Sequence, residues 1–117
     1  MNISVEAVFS ALANTTRLRC VLLLLEYDEL CVCELTHAIG TTQPNVSRHL
    51  TRLREAGLVT DRRAGLWIHY RINPPLPSWV AKVLERTAEG VKGAASFTDD
   101  LAALKSIPNR PGAPRCA

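Results

Sequence analysis

The stretch that decides the fold is TTQPNVSRHLTRLREAG, residues 41–57. Thr42 offers a side-chain oxygen to cap a helix, and Pro44 falls in the first turn, the one part of a helix that tolerates a missing N–H. Gly57 stops the helix. Taking Val46, Leu50 and Leu53 as the buried stripe turns Pro44, Asn45, Ser47, Arg48, Thr51 and Arg52 outward. Just upstream, a short helix carries Leu35, Ala38 and Ile39 and ends at Gly40, a residue suited to the left-handed position. Two short helices joined by a few residues around a glycine predict a helix-turn-helix, with the second helix free to enter a major groove.

Downstream, LVTDRR and LWIHYRI are rich in β-branched and aromatic residues and flank Ala64 and Gly65, which predicts a two-stranded hairpin. Helix-turn-helix plus hairpin makes the expected fold class mostly α with a β-hairpin wing, a winged helix-turn-helix. At the N-terminus, Val5, Val8, Phe9 and Leu12 recur at helical spacing behind Ser4, predicting a helix over about 4–13. Asn14 caps a second helix with a stripe of Leu18, Val21, Leu22 and Leu25, which Leu23 and Leu24 widen until the helix is apolar nearly all round and therefore central. NPPLP from Asn73 is a rigid break. Ser78 then caps a helix with Trp79, Val80, Val83, Leu84, Thr87 and Val91 as its stripe, and a last helix, SFTDDLAALKSI, precedes the proline- and glycine-rich PNRPGAPRCA. These features divide the chain into a domain over 1–106 and a mobile tail over 107–117. A two-layer domain this small covers the first helix and the one after NPPLP poorly, so the expected state is a homodimer formed through those two helices.

The composition narrows the function. No apolar run approaches the roughly 20 residues of a membrane span, the longest being VLLLLEY from Val21. MNISVEAVFSALA lacks the basic region and apolar block of a secretory signal, so the expected location is the cytoplasm, with no membrane partner and with reduced thiols. The net charge of +3 is mild but unevenly spread. Residues 48–71 hold Arg48, Arg52, Arg54, Arg62, Arg63 and Arg71 against Glu55 and Asp61, the electrostatic footprint of a protein that meets a polyanion. Sequence reading falls to the outward face of the 41–57 helix, where Ser47 and Arg48 suit base edges and Gln43, Asn45, Thr51 and Arg52 reach bases or backbone. Arg62, Arg63 and Arg71 on the hairpin, with His69 and Tyr70 near them, supply phosphate contacts. His49 lies toward the buried side of its helix and reads as a packed or backbone-bonded residue.

The four cysteines, Cys20, Cys31, Cys33 and Cys116, are irregularly spaced, with one tight pair where a structural zinc finger wants two well-spaced pairs. ELCVCELTHA, residues 29–38, places Cys31 and Cys33 two residues apart at what reads as a helix start. Side chains at that spacing point to opposite sides of a helix, so the two thiols cannot close on one ion while the helix is intact.

LANTTRLR, ELCVCEL and QPNVSRHLTRLREAGLV, followed by the hairpin with LWIHYRI, resemble the ArsR/SmtB family of prokaryotic winged-helix repressors, and ELCVCEL resembles its arsenic-responsive branch. The resemblance spans about residues 5–93. It implies a dimeric repressor that holds double-stranded operator DNA, an inverted repeat, without inducer and releases it when a metalloid binds. As(III) or Sb(III) would be the inducer, held by thiolates, and there is no organic cofactor. Closing Cys31 and Cys33 on one atom would then unwind the start of their helix. The chain departs from the familiar pattern at Thr36, where the best-known sensors with CVC carry a third cysteine. Cys116 is ranked first as the third ligand, ahead of Cys20 or an exogenous thiol. Two other readings stand beside this one. A winged-helix repressor for cadmium, lead or zinc could use His37, four residues past Cys33. A thiol redox enzyme would want a phosphate-cradling loop or a catalytic cysteine among basic residues, and the sequence shows neither.

Overall fold

The computed structural model describes residues 3–107, and helix termini in it follow from local chemistry. Helix α1, Val5–Leu12, starts where the Ser4 hydroxyl accepts from the Ala7 N–H, and α2, Thr15–Glu26, where the Asn14 side chain accepts from the Arg17 N–H. A two-residue strand β1, Leu30–Cys31, leads directly into α3, Val32–Ile39, which ends at Gly40 with φ 79°. Helix α4, Gln43–Glu55, is capped by Thr42 and stops before Gly57, whose φ of 85° lies in the left-handed region. The hairpin is β2, Val59–Ala64, and β3, Trp67–Ile72, joined by the two-residue turn Gly65 and Leu66. Helices α5, Ser78–Val91, and α6, Ala95–Lys105, complete the order. Ser78 is the first helical residue rather than the cap. Pro77 occupies that position, and no side chain caps this helix end.

The strand β1 was not expected from the sequence. It pairs with β3 antiparallel, Leu30 opposite Tyr70 and Cys31 opposite His69, so the hairpin becomes a three-stranded sheet of order β1-β3-β2. This changes where the thiols stand. Cys31 is the extended cap residue before α3, with φ −82° and ψ 160°, and only Cys33 belongs to the helix. The expected conflict between two thiols on one intact helix is therefore replaced by a conflict at a strand-to-helix junction.

Helix α2 is the centre of the core. Cys20, Val21, Leu22, Leu23 and Leu24 are all buried, more than one full turn, while Leu18 and Leu25 of the expected stripe are only partly covered. The stripe of α4, Val46, Leu50 and Leu53, is fully buried as expected. Helix α6 packs on α2 and α3 through buried Phe97, Asp100 and Leu104. Asp100, 1% exposed, accepts from the Arg19 guanidinium at 2.6 and 2.8 Å, and the same Arg19 Nη2 donates to the Ile39 carbonyl at the end of α3 at 3.1 Å. One buried ion pair thus ties three helices, and Asp100 raises the Arg19 pKa further. In contrast, α1 and α5 leave apolar side chains in solvent, with Val5 46%, Phe9 53% and Trp79 40% exposed. The expected tail lies, from residue 108 onward, outside the described residues.

Asp100→Ala strands a partly buried guanidinium and is expected to cost about 3 kcal/mol of stability, read as a lowered urea midpoint.

Candidate nucleic-acid interface and thiol cleft

The α4 face follows from its periodicity. Gln43, Arg48 and Arg52 are exposed, and Asn45, Ser47 and Thr51 are half-buried on the same helix. Asn45 is held from two sides, its Oδ1 accepting from Arg48 Nη2 at 2.5 Å and its Nδ2 donating to Thr41 Oγ1 at 3.2 Å. Thr51 Oγ1 donates to the Ser47 carbonyl at 3.0 Å, which commits its proton to the helix and leaves it an acceptor.

On the wing, Arg63 and Arg71 are exposed. Arg62 instead makes a two-pronged ion pair with Glu29, Nη2 to Oε1 at 2.6 Å and Nε to Oε2 at 2.8 Å. The Arg62 hydrogen bond is the chief reason the Glu29 carboxyl sits below its ordinary range. The His69 side chain is only 13% exposed, with Nδ1 3.9 Å from Glu29 Oε1, and it lies opposite Cys31 in the sheet. Tyr70 is buried at 5% exposure, so it belongs to the core and not to a phosphate contact. Arg54, counted in the basic patch, is paired with Asp61 at 3.0 Å.

His49 has a partner that the sequence did not reveal. Arg17 Nη1 lies 3.1 Å from His49 Nδ1, and because arginine only donates, Nδ1 accepts and the proton of the neutral ring resides on Nε2. Arg17 also donates through Nε to the Ala11 carbonyl at 2.8 Å and through Nη2 to the Ser10 carbonyl at 3.3 Å, closing the end of α1. One guanidinium therefore joins α1, α2 and α4. Burial, followed by the charges of Arg17, Arg48 and Arg52, pushes the His49 pKa below the usual imidazole value.

Cys31 and Cys33 open on one cleft of about 170 Å³, walled by Val32, by Gln43 and Ser47 of α4, and by Leu66, Trp67 and Ile68 of the wing. Cys31 is a fully buried free thiol, whereas half-buried Cys33 is disulfide-bonded. The start of α3 is a capping box in which the Cys31 side chain faces the Glu34 N–H and the Glu34 carboxylate accepts from the Cys31 N–H at 2.9 Å. Thr36, at the position of the missing cysteine, donates its hydroxyl proton to the Val32 carbonyl at 2.8 Å. Cys20 is separate from this cleft in chemistry as well as in place. It is fully buried on α2, and burial pushes its thiol pKa up to about 12, which favours the protonated form. Exposed His37 meets Ser106 Oγ at 3.5 Å. Among the described residues no three His, Cys, Asp or Glu side chains cluster closely enough to hold a metal ion. Cys116 lies outside the described residues.

The sequence and the fold match known proteins. The bacterial regulatory protein profile of the arsR family covers residues 14–61, from the cap of α2 into β2. Over 107 residues the chain is 45% identical to the arsenic resistance transcriptional regulator ArsR1 of Pseudomonas putida, spanning 92% of this chain and 82% of that protein. The chain belongs to the ArsR family of bacterial transcriptional regulators. It is also 53% identical over 78 residues to the arsenical resistance operon repressor of Escherichia coli, 67% of each chain. Among solved structures, the AntR antimony-specific transcriptional repressor aligns with TM-score 0.64 and 35% identity over 75% of this chain and 77% of its own. HlyU from Vibrio cholerae aligns with TM-score 0.64 and 30% identity over 72% and 87%. The winged helix-turn-helix expected from residues 41–72 is thus the ArsR-family fold.

Because the fold of this ArsR-family regulator lowers the pKa of half-buried His49, the ring binds a proton more readily in the unfolded chain. Its contribution to stability is full above about pH 6.5 and is lost as pH falls through its lower folded value. Urea unfolding between about pH 7 and pH 5 should show this loss, and His49→Gln should flatten the profile.

Proposed function

We propose that this chain is a dimeric repressor that grips operator DNA through α4 and the wing and lets go when trivalent arsenic or antimony is captured by Cys31 and Cys33. The observation that carries this reading is the shared cleft, since the Cys31 thiol and the Cys33 sulfur, a thiolate only once its disulfide is reduced, open on the same space as Gln43 and Ser47 of α4 and Trp67 of the wing. Thiolates suit a soft trivalent metalloid, and the relatives named for arsenic and antimony carry the same fold.

Capture has a mechanical cost. To place its sulfur on a shared atom, Cys31 must give up its capping position, about 1 kcal/mol for an ordinary cap, and loosen its pairing with His69. The start of α3 then shifts against α4, the neighbour it packs on. Coupling of this kind is typically about 1 to 3 kcal/mol, roughly a 5- to 150-fold loss of operator affinity. Cys116 is the third ligand in this reading. Ile107 is buried at the end of α6, which packs on the helix bearing Cys33, and the nine residues from there reach about 30 Å when extended. Exposed Val5 and Phe9 on α1 and Trp79 on α5 form the apolar surface for a second copy, and two-fold symmetry pairs the two α4 helices with an inverted repeat.

Fluorescence anisotropy on an operator selected from a random-sequence pool tests the reading. After reduction of the Cys33 disulfide with a phosphine, arsenite or antimonite should release the wild type, and a dithiol chelator should restore binding. Cys33→Ser should hold DNA without responding, as should Cys31→Ser, which keeps a good capping residue. Release by cadmium or lead with no response to arsenite would assign the protein to a divalent-metal reading instead. X-ray absorption of the arsenite-loaded protein should count three sulfurs, falling to two in Cys116→Ser, and an unchanged count would remove the tail from the site.

A further inference from the structure

We propose that Glu29 sets the strength of the wing's grip on DNA by holding Arg62 in an internal ion pair that phosphate must displace. The inference rests on the operator-binding reading but not on the identity of the inducer.

Arg62 differs from its neighbours on the hairpin. Among the described residues Arg63 and Arg71 are in no ion pair, whereas Arg62 presents its Nε and Nη2 edge to both oxygens of Glu29. That edge is the one a guanidinium offers to a phosphate, because the two parallel N–H groups match a pair of oxygens on either anion. Carboxylate and phosphate therefore compete for one face of one side chain. The remaining guanidinium faces solvent, since the Arg62 side chain is 58% exposed, so phosphate has a path to it.

Glu29 is placed by the backbone. It stands just before β1, which pairs with β3, and Arg62 lies on β2 opposite His69, itself opposite Cys31. Glu29 thus reaches across the central strand to a side chain on the far strand of the sheet. When Arg62 turns to phosphate, the Glu29 carboxylate is left without its guanidinium beside the DNA and gathers a cation. That uptake offsets the counterion released from the phosphate, so Arg62 adds little to the salt dependence while Glu29 carries its charge.

Operator affinity measured by anisotropy against potassium chloride concentration decides the matter in four proteins: wild type, Glu29→Gln, Arg62→Ala and the double variant. Both side chains are surface or near-surface groups, so all four should fold alike, checked by thermal melting. Glu29→Gln should bind about three- to fivefold more tightly at low salt, the scale of one exposed ion pair. Its log affinity against log salt should steepen by about 0.9, one further phosphate contact. The gain should vanish in the Arg62→Ala background. Weaker binding by Glu29→Gln would make the pair a strut that supports the wing, and an equal gain with or without Arg62 would reduce it to the general field of one carboxylate. Either result overturns the proposal. Failure of all four proteins to bind DNA would instead count against the operator-binding reading itself.

Discussion

Leu30 and Cys31 pair with Tyr70 and His69 on the central strand of the wing, and α3 begins at the next residue. A two-residue strand has few hydrogen bonds of its own, so its position depends on what surrounds it: the buried Leu30 side chain, the Glu34 carboxylate on the Cys31 N–H, and the register with β3. The wing, α4 and the Cys31 and Cys33 sulfurs meet at this junction. A change in the backbone at Cys31 is felt by β3 on one side and by α3 on the other, because the same residue ends one element and caps the next.

The basic surface is less uniform than its arginine count suggests. Arg54 and Arg62 are engaged by carboxylates, Arg48 by Asn45, and Arg63 and Arg71 stand exposed. Coulomb attraction to a polyanion acts on the sum of these charges at a distance, whereas contact with phosphate requires each guanidinium to be released or reoriented. Arg17 belongs to neither set. It is spent on the end of α1 and on His49, where it fixes the ring from the side of the core.

Local signals were legible in the sequence wherever a residue's chemistry acts within one turn. Ser4, Asn14 and Thr42 cap the helices they predict, Pro44 sits in a first turn, Gly57 takes a positive φ, and the hairpin turns at Gly65 and Leu66, one residue beyond the Ala64 and Gly65 expected. β1 was not legible, since two residues carry no alternation and their pairing partners lie some forty positions away. Ser78 misled because Pro77 already supplies the extended residue before α5. The side-chain partnerships were hidden for the same reason of distance: Arg19 with Asp100, Arg17 with His49 and Arg62 with Glu29 join separate elements, and no local periodicity marks them. The thiol pair was found by its spacing, but its geometry was misjudged because the boundary between strand and helix falls between the two cysteines.

The anchoring of α3 at its far end has a mechanical consequence. Arg19, locked in place by Asp100, grips the Ile39 carbonyl, while at the opposite end of this helix, about 12 Å away, buried Val32, the Glu34 carboxylate on the Cys31 N–H and the two-residue strand hold it. One end is tied by charge and the other by packing and strand pairing. The tip that carries the sulfurs borders Gln43 and Ser47 of α4, so a displacement there meets that helix first.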